Sequence, residues 1–249
     1  MRYNAVAANG EDVREINLDG TEVEYRVRFS KRRTTIGATI DEHGLRVSLP
    51  HQIKGEGRER TFLQKRSVWV LNNLEKMEER LRQIPNRTFE EGETMPLYGS
   101  DRVIEVREGR SKITRRALVV GRTDLAGSTI EEEVKRLYFE EARRYFKKKL
   151  DVFAEKMGVE YSGVTVKHKS SSWGSFSGKT RRVHMNVLLM LAPAEVIDYV
   201  LIHELCHARV PGHGRDFWQM VEEHCPDYRK HEKWLDREGH RLVWDGTRK

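Results

Sequence analysis

The chain has 249 residues, with 46 Lys and Arg against 39 Asp and Glu, a formal net charge of +7 that permits nucleic-acid contact without demanding it. Charged residues outnumber those of an average domain, yet eight Phe, eight Tyr and five Trp suffice for a core in one large domain or two small ones. No apolar run is long enough for a membrane span, residues 1–20 lack a signal peptide's apolar segment, and Cys206 and Cys225 cannot make a disulfide framework, so a cytoplasmic protein is expected.

Residues 1–20 read as a loosely held lead-in. From Thr21, the residues Val23, Tyr25, Val27 and Phe29 alternate with Glu24, Arg26 and Arg28, the period of a half-buried strand. Lys31-Arg32-Arg33 falls at a turn, and Ile36, Ala38 and Ile40 alternate again. Residues 41–44 make a second turn before Leu45, Val47 and Leu49, and Pro50 closes the third strand of an expected antiparallel meander. Between about 58 and 84 the period becomes helical through Phe62, Trp69, Leu74, Met77 and Leu81, with Pro85 as the stop. Short strands are predicted around 103–106 and 112–120, punctuated by Gly92, Gly99 and Gly109.

Ser128-Thr129-Ile130-Glu131 matches a capping box, and Ile130, Val134, Leu137, Tyr138, Tyr145, Phe146, Leu150, Phe153 and Met157 form one stripe of a long helix that Gly158 ends. Its basic residues Arg143, Arg144 and Lys147 to Lys149 read as a solvated face. A strand over 164–167, a Ser/Gly-rich loop over 170–175 and an apolar stretch over 183–191 follow. Pro193 suits the start of a helix running to about 210. Pro211-Gly212-His213-Gly214 breaks that helix, and another is predicted over 216–223.

The chemistry concentrates in His203-Glu204-Leu205-Cys206-His207. On a helix, positions i and i+4 share a face, so both imidazoles can bind one ion, while Glu204 lies about 100° round the helix and can reach a water bound there. With ten His in 249 residues, about 0.04 such motifs are expected by chance. The helix is apolar on more than one side, with Val196 and Val200 preceding His203 and Ile197, Leu201, Leu205 and Ala208 elsewhere, so its polar groups need a partner that a metal would supply. A catalytic zinc takes three protein ligands. His213, Glu222, Glu223, His224 and His231 are candidates for the third, and the Gly-flanked turn favours His213 only mildly. Cys206 and Cys225 read as core and inert. Trp173 reads equally as a cleft residue or a loop anchor, and Asn186 as a strand-end hydrogen-bonder. His224, Tyr228 and His231 are undifferentiated candidates for a proton donor or oxyanion partner.

Several fragments together resemble the YgjP-like family of metal-dependent hydrolases, relatives of the SprT-like zinc proteases. They are Trp173-Gly174-Ser175, Met185-Asn186, Ala192-Pro193, Val196-Ile197-Asp198-Tyr199-Val200, the 203–207 motif, and His213-Gly214 ahead of Phe217-Trp218. Residues 21–85 resemble the family's amino-terminal half more weakly. Phe176 departs from the pattern, which usually has Cys there. The resemblance implies His203, His207 and His213 as ligands and Glu204 as the catalytic residue.

The expected fold is α+β. A strand-rich region with one helix spans 1–125, and a zincin-like zinc metallopeptidase domain with the HExxH motif on its active-site helix spans 126–249. A strand or hairpin around 164–190 borders that helix, and an extended peptide could pair with its edge. The expected reaction is hydrolysis of a peptide or protein substrate: zinc polarises the carbonyl, and Glu204 takes a proton from the zinc-bound water and passes it to the leaving amine. Two alternatives use the basic residues Lys31 to Arg33, Arg110, Lys112, Arg115, Arg116, Arg143 to Lys149, Lys179, Arg181 and Arg182. One is a protease acting on nucleic-acid-bound proteins. The other is a basic nucleic-acid-binding module with a structural, four-ligand zinc.

Overall fold

The computed structural model describes residues 2–6, 12–53, 57–169 and 171–244. Met1 and residues 7–11 of the lead-in, and Ser170 of the Ser/Gly-rich loop, lie outside them. The described chain is mixed α+β, with six α-helices and three sheets. It forms two units, Met1–Ile84 and Pro85–Lys249.

The first unit holds β1 (Arg2–Tyr3), β2 (Asp12–Leu18), β3 (Thr21–Ser30), β4 (Gly37–Asp41) and β5 (Gly44–Pro50) in one sheet. Val23, Tyr25 and Val27 turn inward as their period predicts. The lead-in, however, is structured. β2 pairs antiparallel with β3 across Asp19 and Gly20, both at positive φ, and brings Ile16 and Leu18 into the core. Nor do the later strands form a meander. β3 pairs with β5 in parallel, from Tyr25 opposite Leu45 to Ser30 opposite Pro50, and β4 lies outside β5. Apolar content explains the order: β5 buries Leu45, Val47 and Leu49 and takes the inner place, whereas β4 buries no residue fully and takes the edge. The expected single helix is two, α1 (Arg58–Gln64) and α2 (Ser67–Arg82), whose Leu63, Val70 and Leu74 join the same core.

The second unit opens with β6 (Thr94–Leu97), β7 (Ser100–Arg107), β8 (Lys112–Ile113) and β9 (Ala117–Gly121), ordered β6-β7-β9-β8. Met95, Leu97, Ile104, Leu118 and Val120 share one core with the long helix α3 (Ile130–Met157). The two compact units meet between Ile84 and Pro85. The capping box of α3 also sits one residue later than expected. Thr129, extended at φ −98° and ψ 163°, is the cap; its hydroxyl accepts from the Glu132 amide, and the Glu132 carboxylate accepts from the Thr129 amide. Gly158, at φ 59°, ends the helix.

A second small sheet follows. β10 (Gly163–Lys167) pairs in parallel with β12 (Arg182–Asn186), and β11 (Gly174–Ser177) pairs antiparallel with β12, so β11 is an edge strand. After a buried 3₁₀ turn over Val187–Leu191 comes α4 (Ala194–Cys206), then α5 (Arg215–His224) and α6 (Tyr228–Glu238). α4 stops before the expected 210 because the Ala208 and Val210 amides turn back to the Leu205 and Cys206 carbonyls. The sequence reading did not predict α6, which buries Tyr228 and His231. Among the described residues no helix is long and apolar enough to cross a membrane.

Candidate metal centre

His203 lies in the last turn of α4 and His207 caps it, one turn apart as their spacing requires. Gly212, at φ 80°, turns the chain so that His213 folds back toward them before α5 begins. One ring nitrogen from each histidine lies within 4.8 Å of the others, a group able to hold a metal ion. His203 Nε2 and His213 Nε2 are 3.1 Å apart, a separation at which two lone pairs repel unless a proton or cation lies between them. His207 Nδ1 is 3.2 Å from the Val210 carbonyl; a proton donated there leaves Nε2 free to coordinate. Burial, then the neighbouring His207 and His213, push the His203 pKa down to about 4, which keeps the ring in its neutral, ligating form. Three imidazoles converging on one point fit a divalent, borderline-soft cation such as zinc. Phe217 of α5 holds this arrangement by stacking on His207 at 4.5 Å and meeting His203 edge-on at 4.9 Å.

Glu204 is 6% exposed and packs against β11. A Cβ added to Gly174 would lie 2.5 Å from Glu204 Oε1, so only glycine permits this approach. Burial pushes the Glu204 pKa up to about 7, against the opposing pull of the Lys169 charge and the Phe176 amide. An open cleft of about 460 Å³ joins the three histidines and Glu204 to Gly174, Ser175 and Phe176 of β11.

The other candidates lie elsewhere. Glu222, Glu223, His224 and His231 are not members of the three-histidine group. His231 is buried against Tyr199 at 6.2 Å, and Tyr228 is stacked behind Trp218 at 5.3 Å. Neither they nor His224 line the cleft. Cys206 is buried, and burial pushes its thiol up to about 12, in keeping with a core role. Trp173 anchors its loop: its carbonyl accepts from the Asn186 amide, and its ring lies against Gly239. Asn186, 2% exposed, does more than cap a strand. Its side-chain amide donates to the Lys169 and Ser172 carbonyls, and its Oδ1 accepts from Leu188 N. Sequence reasoning missed Lys169, whose Nζ donates to Ser172 Oγ and Ser175 Oγ. No sequence spacing announces it, because the loop fold alone creates the contact. Of the basic residues on α3, Arg144 pairs with Glu141, Lys147 with Asp151 and Lys149 with Asp198.

The family model for the YgjP-like, metallopeptidase domain matches residues 34–238. Among curated proteins no significant match exists. Among the solved structures the chain is similar to are two metallopeptidase zymogens. One is the metallopeptidase zymogen jannalysin of Methanocaldococcus jannaschii, at 19% identity over 37% of this chain and 95% of that one, with a TM-score of 0.35. The other is the metallopeptidase zymogen abylysin of Pyrococcus abyssi, at 21% identity over 39% of this chain and 99% of that one, also with a TM-score of 0.35.

Proposed function

The chain belongs to the YgjP-like metallopeptidase family, and from that premise we propose that it is a zinc-dependent peptidase in which His203, His207 and His213 hold the ion and Glu204 is the general base. The family implies a divalent metal and peptide or protein substrates. The observation that carries the finer assignment is the convergence of three imidazole nitrogens beside a buried carboxylate in one open cleft.

When bound, zinc would supply a Lewis acid for the scissile carbonyl and lower the pKa of a water. The remaining work falls to the chain. Glu204, with its pKa raised to about 7 by burial, suits a group that accepts a proton from water and returns it to the leaving amine. α4 then serves as the active-site helix of a zincin-like domain. The edge of β11, which pairs with no further strand among the described residues and runs along the cleft, offers backbone groups to an extended peptide. Free thiols at Cys206 and Cys225 support a cytoplasmic setting. The ion pairs on α3 occupy several of the cations invoked for nucleic acid, so the peptidase reading is the one carried forward.

Zinc content and peptide turnover measured on the same preparations test it. Glu204→Gln should keep zinc and lose turnover by roughly a hundredfold or more. His203→Ala should lose both. A structural zinc instead leaves Glu204→Gln without effect, and unchanged turnover in that zinc-loaded variant would refute the mechanism.

A further inference from the structure

The three-stranded sheet beside the cleft has two unlike faces. Strand pairing places Gly174 opposite Met185 and Phe176 opposite Val183, and Val164 and Val166 stand beside Val183 and Met185. Met185 and Val183 are fully buried, and Gly174 faces Glu204, so this is the inner face. Alternation then puts Ser175 and Ser177 of β11 on the outer face, with His184, Arg182, Thr165 and Lys167.

That outer face is cationic. Lys167, Arg182 and His184 lie on it, and Lys169, just beyond β10, brings its Nζ to 3.0 Å from Ser175 Oγ. The His184 pKa is lowered by partial burial and then by the charges of Lys169, Lys167 and Arg182, with no carboxylate among the causes. Among the described residues Lys169 makes no hydrogen bond or ion pair with a carboxylate, although its charge is felt by Glu204; its Nζ donates to two serine hydroxyls. The position is held by buried Asn186, whose side-chain amide donates to the Lys169 and Ser172 carbonyls.

An extended peptide added to β11 would place the side chain opposite Ser175 on this same outer face, with its Cβ about 4.5–5.5 Å from that of Ser175. An Asp or Glu there comes within reach of Nζ. We propose that Lys169 is a specificity determinant that selects an acidic side chain, Asp or Glu, at the substrate position opposite Ser175. The proposal rests on the peptidase reading and on peptide addition at the β11 edge, and it goes beyond them by naming the substrate class. The substrate carboxylate also gives the ammonium a direct charged partner, where the chain offers it the Ser172 and Ser175 hydroxyls. A Lys or Arg at the same substrate position meets repulsion from Lys169, and farther along the face from Arg182.

The test uses the full zinc-loaded chain and a set of peptides in which a single Glu, Gln or Lys is moved along an otherwise neutral sequence. In wild type, one position should show kcat/KM ordered Glu over Gln over Lys, with Glu favoured over Gln by about threefold to fivefold at low salt, the range of a partly exposed ion pair. Added salt should shrink the ratio. Lys169→Gln should bring it to about one, and Lys169→Glu should invert it. Zinc content and circular dichroism accompany each variant, and peptide binding to Glu204→Gln protein gives the same ratios without turnover. Cleavage by wild type with no acidic preference at any position, or a preference that survives both Lys169 variants, overturns this proposal while leaving the peptidase reading intact. If no peptide of any charge is cleaved or bound by zinc-loaded wild type, the peptidase reading fails and this inference falls with it.

Discussion

Gly174 and Glu204 are in contact so close that no side chain fits between them: a Cβ on Gly174 would stand 2.5 Å from Oε1, 2.7 Å from Cγ and 2.8 Å from Cδ of Glu204. The edge strand and the helix that carries two of the histidines are therefore set against each other through one glycine. Gly174→Ala should force Glu204 or β11 to move. A loss of about 1–3 kcal/mol in stability, the usual cost of overpacking, is expected. Turnover should fall with zinc content near wild type, because the three atoms nearest the added Cβ all belong to Glu204 and none to a histidine. Unchanged turnover would show that the Glu204 position is not held by β11.

Removing the metal exposes a second property of Glu204. In the metal-free chain, burial raises its pKa from 4.5 to about 7, so the folded state holds this proton more tightly than the unfolded state. Its contribution to stability is present below about pH 4.5 and is lost as pH rises through about 7, by up to roughly 3 kcal/mol. Glu204→Gln imitates the protonated acid and lacks this loss. Denaturation of both chelated proteins between pH 5 and 8 should show the variant gaining on wild type as pH rises. Comparing the two also cancels His203, held down near 4 in each. A pH-independent difference would contradict the burial of an ionisable carboxylate here.

Asn186 tests the loop that holds Lys169. Its amide satisfies the Lys169 and Ser172 carbonyls at 2.9 and 3.2 Å from a site that is 2% exposed. Asn186→Ala should cost about 1–3 kcal/mol, the scale of leaving buried polar groups unpaired. Asn186→Asp should cost at least as much at neutral pH, since a carboxylate would face two carbonyl oxygens. Urea denaturation of the zinc-loaded proteins measures both, and a neutral Asn186→Ala would show that the loop is held by other contacts.

What was legible in the sequence was local. The stripe from Val134 to Met157 and the stop at Gly158 define α3 because periodicity and a left-handed cap act within a few residues. The 203–207 spacing likewise fixes two imidazoles on one helix face without any tertiary information. Pairing between distant strands was not legible. The alternation of β3, β4 and β5 suits either a meander or the observed parallel β3–β5 pairing, and burial of Leu45, Val47 and Leu49 decides between them. The cap of α3 slipped by one because Ser128 and Thr129 both suit the role, as Glu131 and Glu132 do, and only the backbone angles choose Thr129. α6 escaped because its buried residues include a histidine, His231, that a hydrophobic pattern does not count. Lys169 escaped because its partners Ser172 and Ser175 are brought to it by a loop fold that no periodicity encodes.

His213 is the assignment on which sequence spacing had least hold, and it yields the sharpest prediction. Unlike His203 and His207, it is exposed and reaches the group only through the turn at Gly212, where φ is 80°. His213→Ala should reduce zinc affinity by more than the ~10–100-fold typical of removing a group that merely orients a ligand, since a coordinating nitrogen itself is lost. His224→Ala and His231→Ala should retain zinc. Gly212→Ala separates ligation from loop geometry: a side chain in the left-handed region costs about 1–2 kcal/mol, so affinity should fall by less than in His213→Ala while the ligand is still present. Competition with a chelator of known affinity ranks all four proteins. If His213→Ala holds zinc as wild type does, or if Glu222→Ala or Glu223→Ala releases it, the third ligand lies on α5 and the 3.1 Å approach of His213 to His203 has some other cause.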